Sequence, residues 1–247
     1  MLPQRSAALR AVIQAGFLNN FKDGVAWGLF PAFFAAAPAG QLGALLTAYP
    51  LVWGLGQLVT GRLSDKYGWG RFVWGGLALQ GAAMALHVAV PAGLHWLGQA
   101  WPWLGLAETS VAVGSGHDGG AAEVAAVGLF SLSAVRFILW LLVLVLLGLG
   151  TAMSYPVLQA YIGDVVAPSR RASAIGLYRL CRRLGYAFGG VLSGRLADAQ
   201  GVDVCLLATG ALLSIRALSA FVALPTNGQP AKTRRRSSGP ANQESLE

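Results

Sequence analysis

The sequence has very little charge. Only 11% of its 247 residues are Asp, Glu, Lys or Arg, whereas a soluble globular domain carries about 25%. No charged side chain occurs within residues 24–61, 72–107 or 137–163. The hydrocarbon core of a bilayer is about 30 Å thick, and a helix needs roughly 20 apolar residues to cross it. The composition therefore excludes a water-soluble domain and predicts an all-α membrane protein.

Metal-binding and redox residues are scarce as well. The chain has three His and two Cys, and Cys181 and Cys205 do not form a C-x-x-C motif. We therefore expect no disulfide framework, no metal site and no cofactor. The net charge is +8, but the basic residues lie between apolar runs rather than in one surface patch, which argues against nucleic acid as a partner.

Hydropathy predicts six membrane-spanning segments when Pro, Gly and charge are taken to mark their ends. The segments are residues 11–36, 42–61, 72–91, 137–160, 174–198 and 202–224. The fifth is the least apolar, because Arg179, Arg182 and Arg183 lie in its first half. If this segment did not cross, the C-terminus would lie on the opposite side of the membrane.

The basic residues are distributed unevenly between the two sides of this arrangement. It places 14 of the 18 Lys and Arg residues on one side, which predicts that both termini are cytoplasmic. We predict one transmembrane domain over residues 1–225, with an outer loop over about 92–135. Residues 226–247 are predicted to be a disordered basic cytoplasmic tail. The expected location is a lipid bilayer, the bacterial inner membrane.

One sequence motif occurs twice. The octapeptide GRLSDKYG at Gly61–Gly68 returns as GRLADAQG at Gly194–Gly201, and the same register pairs Trp53 with Tyr186. Each copy closes the second span of a three-span unit, but the two copies end on opposite sides of the membrane. This pattern predicts six transmembrane helices arranged as a 3+3 inverted repeat.

The repeated octapeptide, followed by Arg71, resembles the signature loop of major facilitator transporters. Two further segments, Asn19–Gly28 and Arg171–Arg179, resemble parts of the C-terminal halves of such transporters. The chain is thus similar to the C-terminal six-helix half of a major facilitator fold. This resemblance implies a transporter, not an enzyme, that moves a small solute by alternating access.

The resemblance also implies that the signature loop acts as a cytoplasmic gate. The candidate gating residues are Gly61, Asp65, Lys66, Gly68 and Arg71. Asp65 is surrounded in sequence by basic residues, from which a carboxylate can accept charge-assisted hydrogen bonds. The alternative is a basic cluster that only orients the protein in the membrane. Trp69 and Gly70 replace the usual basic pair, and Arg183 stands where many relatives carry an acid; both departures weaken the expected charge network.

The first predicted span carries polar residues at membrane depth. Asn19, Asp23 and Trp27 follow one another at intervals of four residues, next to Asn20. Such residues usually face a bundle interior or a wet cavity, so this face either lines a solute or proton cavity or forms hydrogen bonds between helices. Further cavity candidates are Tyr155, Gln159, Arg179 and Arg182, although the arginines could instead extend to the membrane surface.

Two functions other than transport are compatible with parts of the sequence. Ser115 and His117 superficially resemble the nucleophile and base of a hydrolase, but they lie in a flexible outer segment and lack a second histidine in a later span. The other alternative is a truncated or accessory membrane bundle without transport activity. Because one half presents a single cavity wall, we expect a partner, either a second six-helix half or a second copy of this chain.

Overall fold

The computed structural model describes residues 2–100 and 132–224, and within them the chain forms six long α-helices. These are α1 (Leu2–Phe33), α2 (Ala39–Tyr67), α3 (Trp69–Ala100), α4 (Leu132–Val165), α5 (Arg171–Gln200) and α6 (Val202–Ala223). A short 3-10 helix, Pro168–Arg170, joins α4 to α5. Ser115, His117 and the predicted tail lie outside the described residues.

The helices overlap the six predicted segments, and all but α6 are longer than predicted; α6 is one residue shorter. Proline was expected to mark the ends of spans, yet Pro91 lies inside α3, which continues to Ala100 into the predicted outer loop. Pro50 and Pro156 likewise lie inside α2 and α4. Proline is tolerated inside membrane helices because neighbouring helices and side chains satisfy the freed backbone groups.

Four of the described helices, α2, α3, α4 and α6, are long and apolar enough to cross a membrane. The helix α4 is the most apolar, with a mean hydropathy of 2.4 in its best window. The helices α1 and α5 do not reach the same hydropathy, because α1 contains Lys22 and Asp23 and α5 contains several arginines. The described part of the chain is therefore all-helical and fits a membrane protein. The length and composition of four of its helices are sufficient for them to cross a membrane.

The helices pack in definite pairs. Over the described residues, α1 lies along α5, α2 lies along α4, and α3 packs against both α4 and α6. Gly185 and Gly189 make the α1–α5 approach possible, because a Cβ atom at either position would collide with the backbone of α1 at Phe17 or Phe21. Small residues four apart permit close contact between membrane helices, and this pair does so.

Both copies of the repeated octapeptide end a helix in the same way. Gly68 follows α2 with φ of 93°, and Gly201 follows α5 with φ of 91°. Each glycine donates its N–H to the carbonyl four residues earlier, Ser64 O at 3.0 Å and Ala197 O at 2.8 Å. Glycine adopts a positive φ without a steric penalty, so the repeated sequence stops both helices with the same backbone turn.

Candidate functional site

A buried ion pair lies at the centre of the bundle. Lys22 and Asp23 are adjacent on α1, with Lys22 Nζ 2.5 Å from Asp23 Oδ1. Lys22 Nζ also donates to Tyr49 Oη on α2 at 2.5 Å and to Thr151 Oγ1 on α4 at 2.9 Å. Tyr49 Oη in turn donates to Asp23 Oδ1. We call these four residues the ion-pair cluster; it ties three helices together.

The ion-pair cluster is shielded from its surroundings. Lys22 is 0% exposed and Tyr49 is 2% exposed. Burying an unpaired charge is very costly, whereas a charge with an ionic partner and further hydrogen bonds can be kept. Lys22 has a donor contact to each of three oxygen-bearing neighbours, so its ammonium group is fully partnered. This arrangement explains how charged residues are accommodated in the middle of α1.

A second buried polar chain links α1, α4 and α3. Ser154 Oγ donates to Asn19 Oδ1 at 3.0 Å, and Gln80 Nε2 donates to Ser154 Oγ at 3.0 Å. Gln80 Nε2 also donates to the backbone oxygen of Gly150 at 3.0 Å. Hydrogen bonds between side chains of neighbouring membrane helices each add modestly to stability, so Asn19 acts here as a contact between helices.

A cavity of about 420 Å³ opens beside the ion-pair cluster. Its lining residues come from α1, α2, α4 and α5: Asn20, Asp23, Trp27, Trp53, Tyr155, Arg182, Arg183 and Tyr186. We call this space the cavity. Asp23 belongs both to the cavity wall and to the ion-pair cluster, so a ligand that contacts Asp23 would also affect its ion pair with Lys22.

Aromatic rings connect the ion-pair cluster with the far wall of the cavity. The Tyr49 ring stacks on Trp53 with centroids 6.2 Å apart, and Trp53 meets Tyr155 edge-on at 5.2 Å. The guanidinium carbon of Arg182 then lies 4.1 Å from the centre of the Tyr155 ring. Arginine stacks favourably on aromatic faces, so this row of rings fixes the position of Arg182.

The structure brings together five of the residues predicted from sequence for the cavity, namely Asn20, Asp23, Trp27, Tyr155 and Arg182. It does not bring the other three there. Asn19 faces Ser154 of α4 instead. Arg179 is exposed and Gln159 is half-buried, and neither lines the cavity.

Several residues of the site were not selected from the sequence. Tyr49 and Thr151 lie in apolar stretches of α2 and α4 and carry no local signal that they reach Lys22. The internal repeat pairs Trp53 with Tyr186, and this pairing is a sequence signal that could have selected them. Both residues line the cavity in the structure. Long basic side chains often extend to the membrane surface, but Lys22 is fully buried.

The candidate gating residues lie away from the cavity, at the junction of α2 and α3. Gly68 forms the turn, while Asp65, Lys66 and Arg71 are exposed. Gly61 lies one helical turn before Asp65, with open space around its Cα. Trp69, which occupies a position that is basic in the family pattern, is buried and packs against Tyr161 with ring centroids 4.3 Å apart.

Within residues 2–100 and 132–224 no three His, Cys, Asp or Glu side chains gather in a way that could hold a metal ion. The lining of the cavity offers two guanidinium groups, one carboxylate, one amide and four aromatic rings. Such a mixed lining, with a few polar groups among aromatic walls, is typical of a small-molecule site.

A family model described as the Major Facilitator Superfamily matches residues 119–245, half of the chain. The chain belongs to this superfamily. It is 33% identical over 82 residues to the Staphylopine export protein of Staphylococcus aureus, a stretch that covers 33% of this chain and 21% of that protein. It is 31% identical over 78 residues to human Solute carrier family 67 member A1, covering 32% of this chain and 18% of that protein.

The matched stretches thus span about a fifth of the length of these curated relatives. Membership of the Major Facilitator Superfamily and the apolar helices make the chain an integral membrane protein, and they point to a transporter rather than an enzyme.

Proposed function

We propose that this chain is one six-helix half, the C-terminal one, of a Major Facilitator Superfamily transporter, and that it moves a small solute by alternating access. The observation that carries the proposal is the cavity, which has a charged and aromatic lining inside a helical membrane protein. Polar groups at membrane depth are costly to keep and usually mark a pathway for solute or ions.

The proposal requires α1 and α5 to cross the membrane as well. One face of α5 carries large apolar side chains that are exposed: Leu177, Leu180, Leu184, Phe188 and Val191. The opposite face is buried and includes Arg182, Gly185 and Ser193. A helix with its apolar face outward and its polar face inward can cross a bilayer even when its average hydropathy is low. In α1, pairing of Lys22 with Asp23 has the same effect.

The helix pairing supports a 3+3 inverted repeat. In such a repeat α4, α5 and α6 correspond to α1, α2 and α3. The packing of α1 along α5 then corresponds to the packing of α4 along α2, and both are present. Trp53 and Tyr186, which correspond to each other, both line the cavity.

A second six-helix unit would complete the pathway. The cavity is open, and α3 and α6 contribute no lining residue, so its wall comes from one side of the bundle. In the superfamily the solute lies between two such units that rock about it. We propose that the second unit is either joined in a longer polypeptide or supplied by another chain, including a second copy of this one.

A bundle without transport activity is the second candidate. It is favoured by Trp69, because an aromatic ring packed on Tyr161 cannot supply the positive charge expected of the gate. Transport measurements separate the two candidates.

Cysteine accessibility tests the proposed pathway. Cys181 and Cys205 are first replaced by Ser, and Trp53→Cys and Phe221→Cys are introduced separately. Trp53 lines the cavity, whereas Phe221 lies on the exposed apolar face of α6. With a membrane-impermeant thiol reagent, Trp53→Cys should react both in right-side-out and in inside-out vesicles, and Phe221→Cys should react in neither. Reaction of Trp53→Cys from one side alone would contradict alternating access.

The proposed gate predicts a difference between the two repeat copies. Asp65→Asn should lower transport by about tenfold or more, because Asp65 has Arg62, Lys66 and Arg71 near it in sequence and a carboxylate binds such groups strongly. The matched Asp198→Asn should have little effect, since its copy lacks that basic cluster. Equal activities at matched membrane expression would argue that the loop only orients the protein.

A further inference from the structure

Arg182 is a buried cation without a hydrogen-bond partner in the described part of the chain. Its side chain belongs to a residue that is 8% exposed, and Nε and Nη1 are both buried with no partner among the described residues. Its contacts are with the rings of Tyr155 and Tyr178, at 4.1 and 5.9 Å. Buried polar groups are nearly always hydrogen-bonded. Arg216 Nε also lacks a partner among the described residues, but Arg216 does not line the cavity, whereas Arg182 does, so a ligand in the cavity is placed to supply the missing partner of Arg182.

Part of the Arg182 guanidinium group faces the cavity. Arg182 lies over the face of Tyr155 and is also one of the residues that line the cavity, and its N–H groups are arranged as a planar fork. A carboxylate, sulfonate or phosphate group can accept two parallel hydrogen bonds from such a fork. A neutral solute would satisfy the fork less completely.

The charges of the lining residues favour an anion. Asp23 is the acidic residue among them, and its Oδ1 already accepts from Lys22 and Tyr49. Within the described part of the chain Arg182 makes no ion pair. With Asp23 neutralised by Lys22, Arg182 and Arg183 leave the cavity with an excess of positive charge.

The remaining walls fit an apolar or aromatic body. Trp27, Trp53, Tyr155 and Tyr186 supply four rings around a space of about 420 Å³, which is the size of a small-molecule site. We infer that the cavity binds a soluble organic anion, an acidic group on an aromatic or apolar body, with Arg182 holding the acidic group. This inference names the solute class of the proposed transporter and rests on that function.

Tryptophan fluorescence can test the inference, since Trp27 and Trp53 line the cavity. The full chain is placed in phosphatidylcholine nanodiscs and titrated with 4-nitrobenzoate, or with 4-nitrobenzamide, which is uncharged and has nearly the same shape. We expect 4-nitrobenzoate to bind at least tenfold more tightly. Equal affinity for the two compounds would overturn the inference on the unmodified protein, without reference to any variant.

Variants assign the effect to Arg182. Arg182→Gln should abolish the preference for 4-nitrobenzoate and Arg182→Lys should keep part of it, because lysine retains the charge but not the fork. Arg195→Gln, an exposed position on the same helix and outside the cavity, should leave the preference unchanged. A full preference in a folded Arg182→Gln protein would overturn the assignment.

An anionic lipid headgroup has the same chemistry as the proposed ligand. Phosphatidylglycerol nanodiscs distinguish the two: if this lipid removes 4-nitrobenzoate binding as completely as Arg182→Gln does, the site belongs to lipid and the inference is wrong. Retained binding supports a soluble anion.

Uptake of 4-nitrobenzoate into liposomes is measured separately. Anion preference without uptake would keep the inference and reject transport by this chain alone, whereas uptake of 4-nitrobenzamide with no anion preference would keep transport and reject the inference.

Discussion

Two buried cations near the cavity are held in different ways: Lys22 lies behind the wall residue Asp23, whereas Arg182 itself lines the cavity. Lys22 has an ion pair and two hydroxyl partners, and no atom of it is left unsatisfied in the described structure. Arg182 is held by aromatic rings, and two of its nitrogens have no hydrogen-bond partner among the described residues. The first arrangement is complete within the described structure, and we propose that a ligand in the cavity completes the second.

The same contrast separates two neighbouring amides of α1. The amide oxygen of Asn19 accepts a hydrogen bond from Ser154, although Asn19 Nδ2 has no partner among the described residues. The amide oxygen of Asn20 has no partner in the same part of the chain, and Asn20 lines the cavity. A polar group that is paired across helices contributes to stability, while an unpaired one subtracts from it. The comparison teaches that polar residues of one helix face can serve structure or binding, according to whether a neighbouring helix supplies a partner.

The largest effect is expected from Lys22→Met. This change leaves Asp23 buried with Tyr49 as its remaining donor, and removing one partner of a buried ion pair costs about 3–5 kcal/mol. The double variant Lys22→Met with Asp23→Asn should recover much of the loss, because no uncompensated charge remains. Unfolding in detergent, followed by circular dichroism, measures both.

Arg10→Met, at an exposed position on the same helix, is the control for Lys22→Met. A Lys22→Met protein as stable as the Arg10→Met protein would show that the ion-pair cluster is not what holds α1, α2 and α4 together.

A smaller effect is expected from the two asparagines. Asn19→Ala should lower the free energy of unfolding by roughly 0.6 kcal/mol, the average for a hydrogen bond between membrane helices, and by about 1.7 kcal/mol at most. Asn20→Ala should cost less, because Asn20 makes no such bond in the described structure. The same unfolding measurement, applied to both variants, ranks them; the reverse order would break the comparison.

The smallest effect on stability is expected from Arg182→Met. The variant loses ring stacking worth about 0.5–2 kcal/mol, but it also removes a buried guanidinium whose N–H groups are unsatisfied, and burying such groups is unfavourable by a similar amount. We expect the free energy of unfolding without ligand to change by less than about 1 kcal/mol. A loss as large as that of Lys22→Met would mean that Arg182 is a structural residue.

Ordinary rules of composition and spacing predicted much of this protein. The scarcity of charge predicted a helical membrane protein, and hydropathy located all six described helices. The predicted helix ends were less accurate. Pro91 was taken as the end of the third segment, but it lies inside α3, which continues to Ala100. The repeated octapeptide predicted two helix ends, and Gly68 and Gly201 form them with the same turn.

The candidate site was predictable only where its residues share one helix. Asn20, Asp23 and Trp27 lie close together because the α-helical repeat places positions three and four apart on the same side. The sequence by itself therefore determined the membrane environment, the helices, the superfamily and the polar face of α1.

Only the tertiary structure decided which polar residues are paired and which are not. Tyr49 and Thr151 reach Lys22 from helices that are distant in sequence, and Arg182 meets Tyr155 in the same way. Whether a buried charge is satisfied depends on distances of a few ångströms between helices, which are set by packing at glycines such as Gly185 and Gly189. No pattern along one segment contains that information, because the partners belong to different segments.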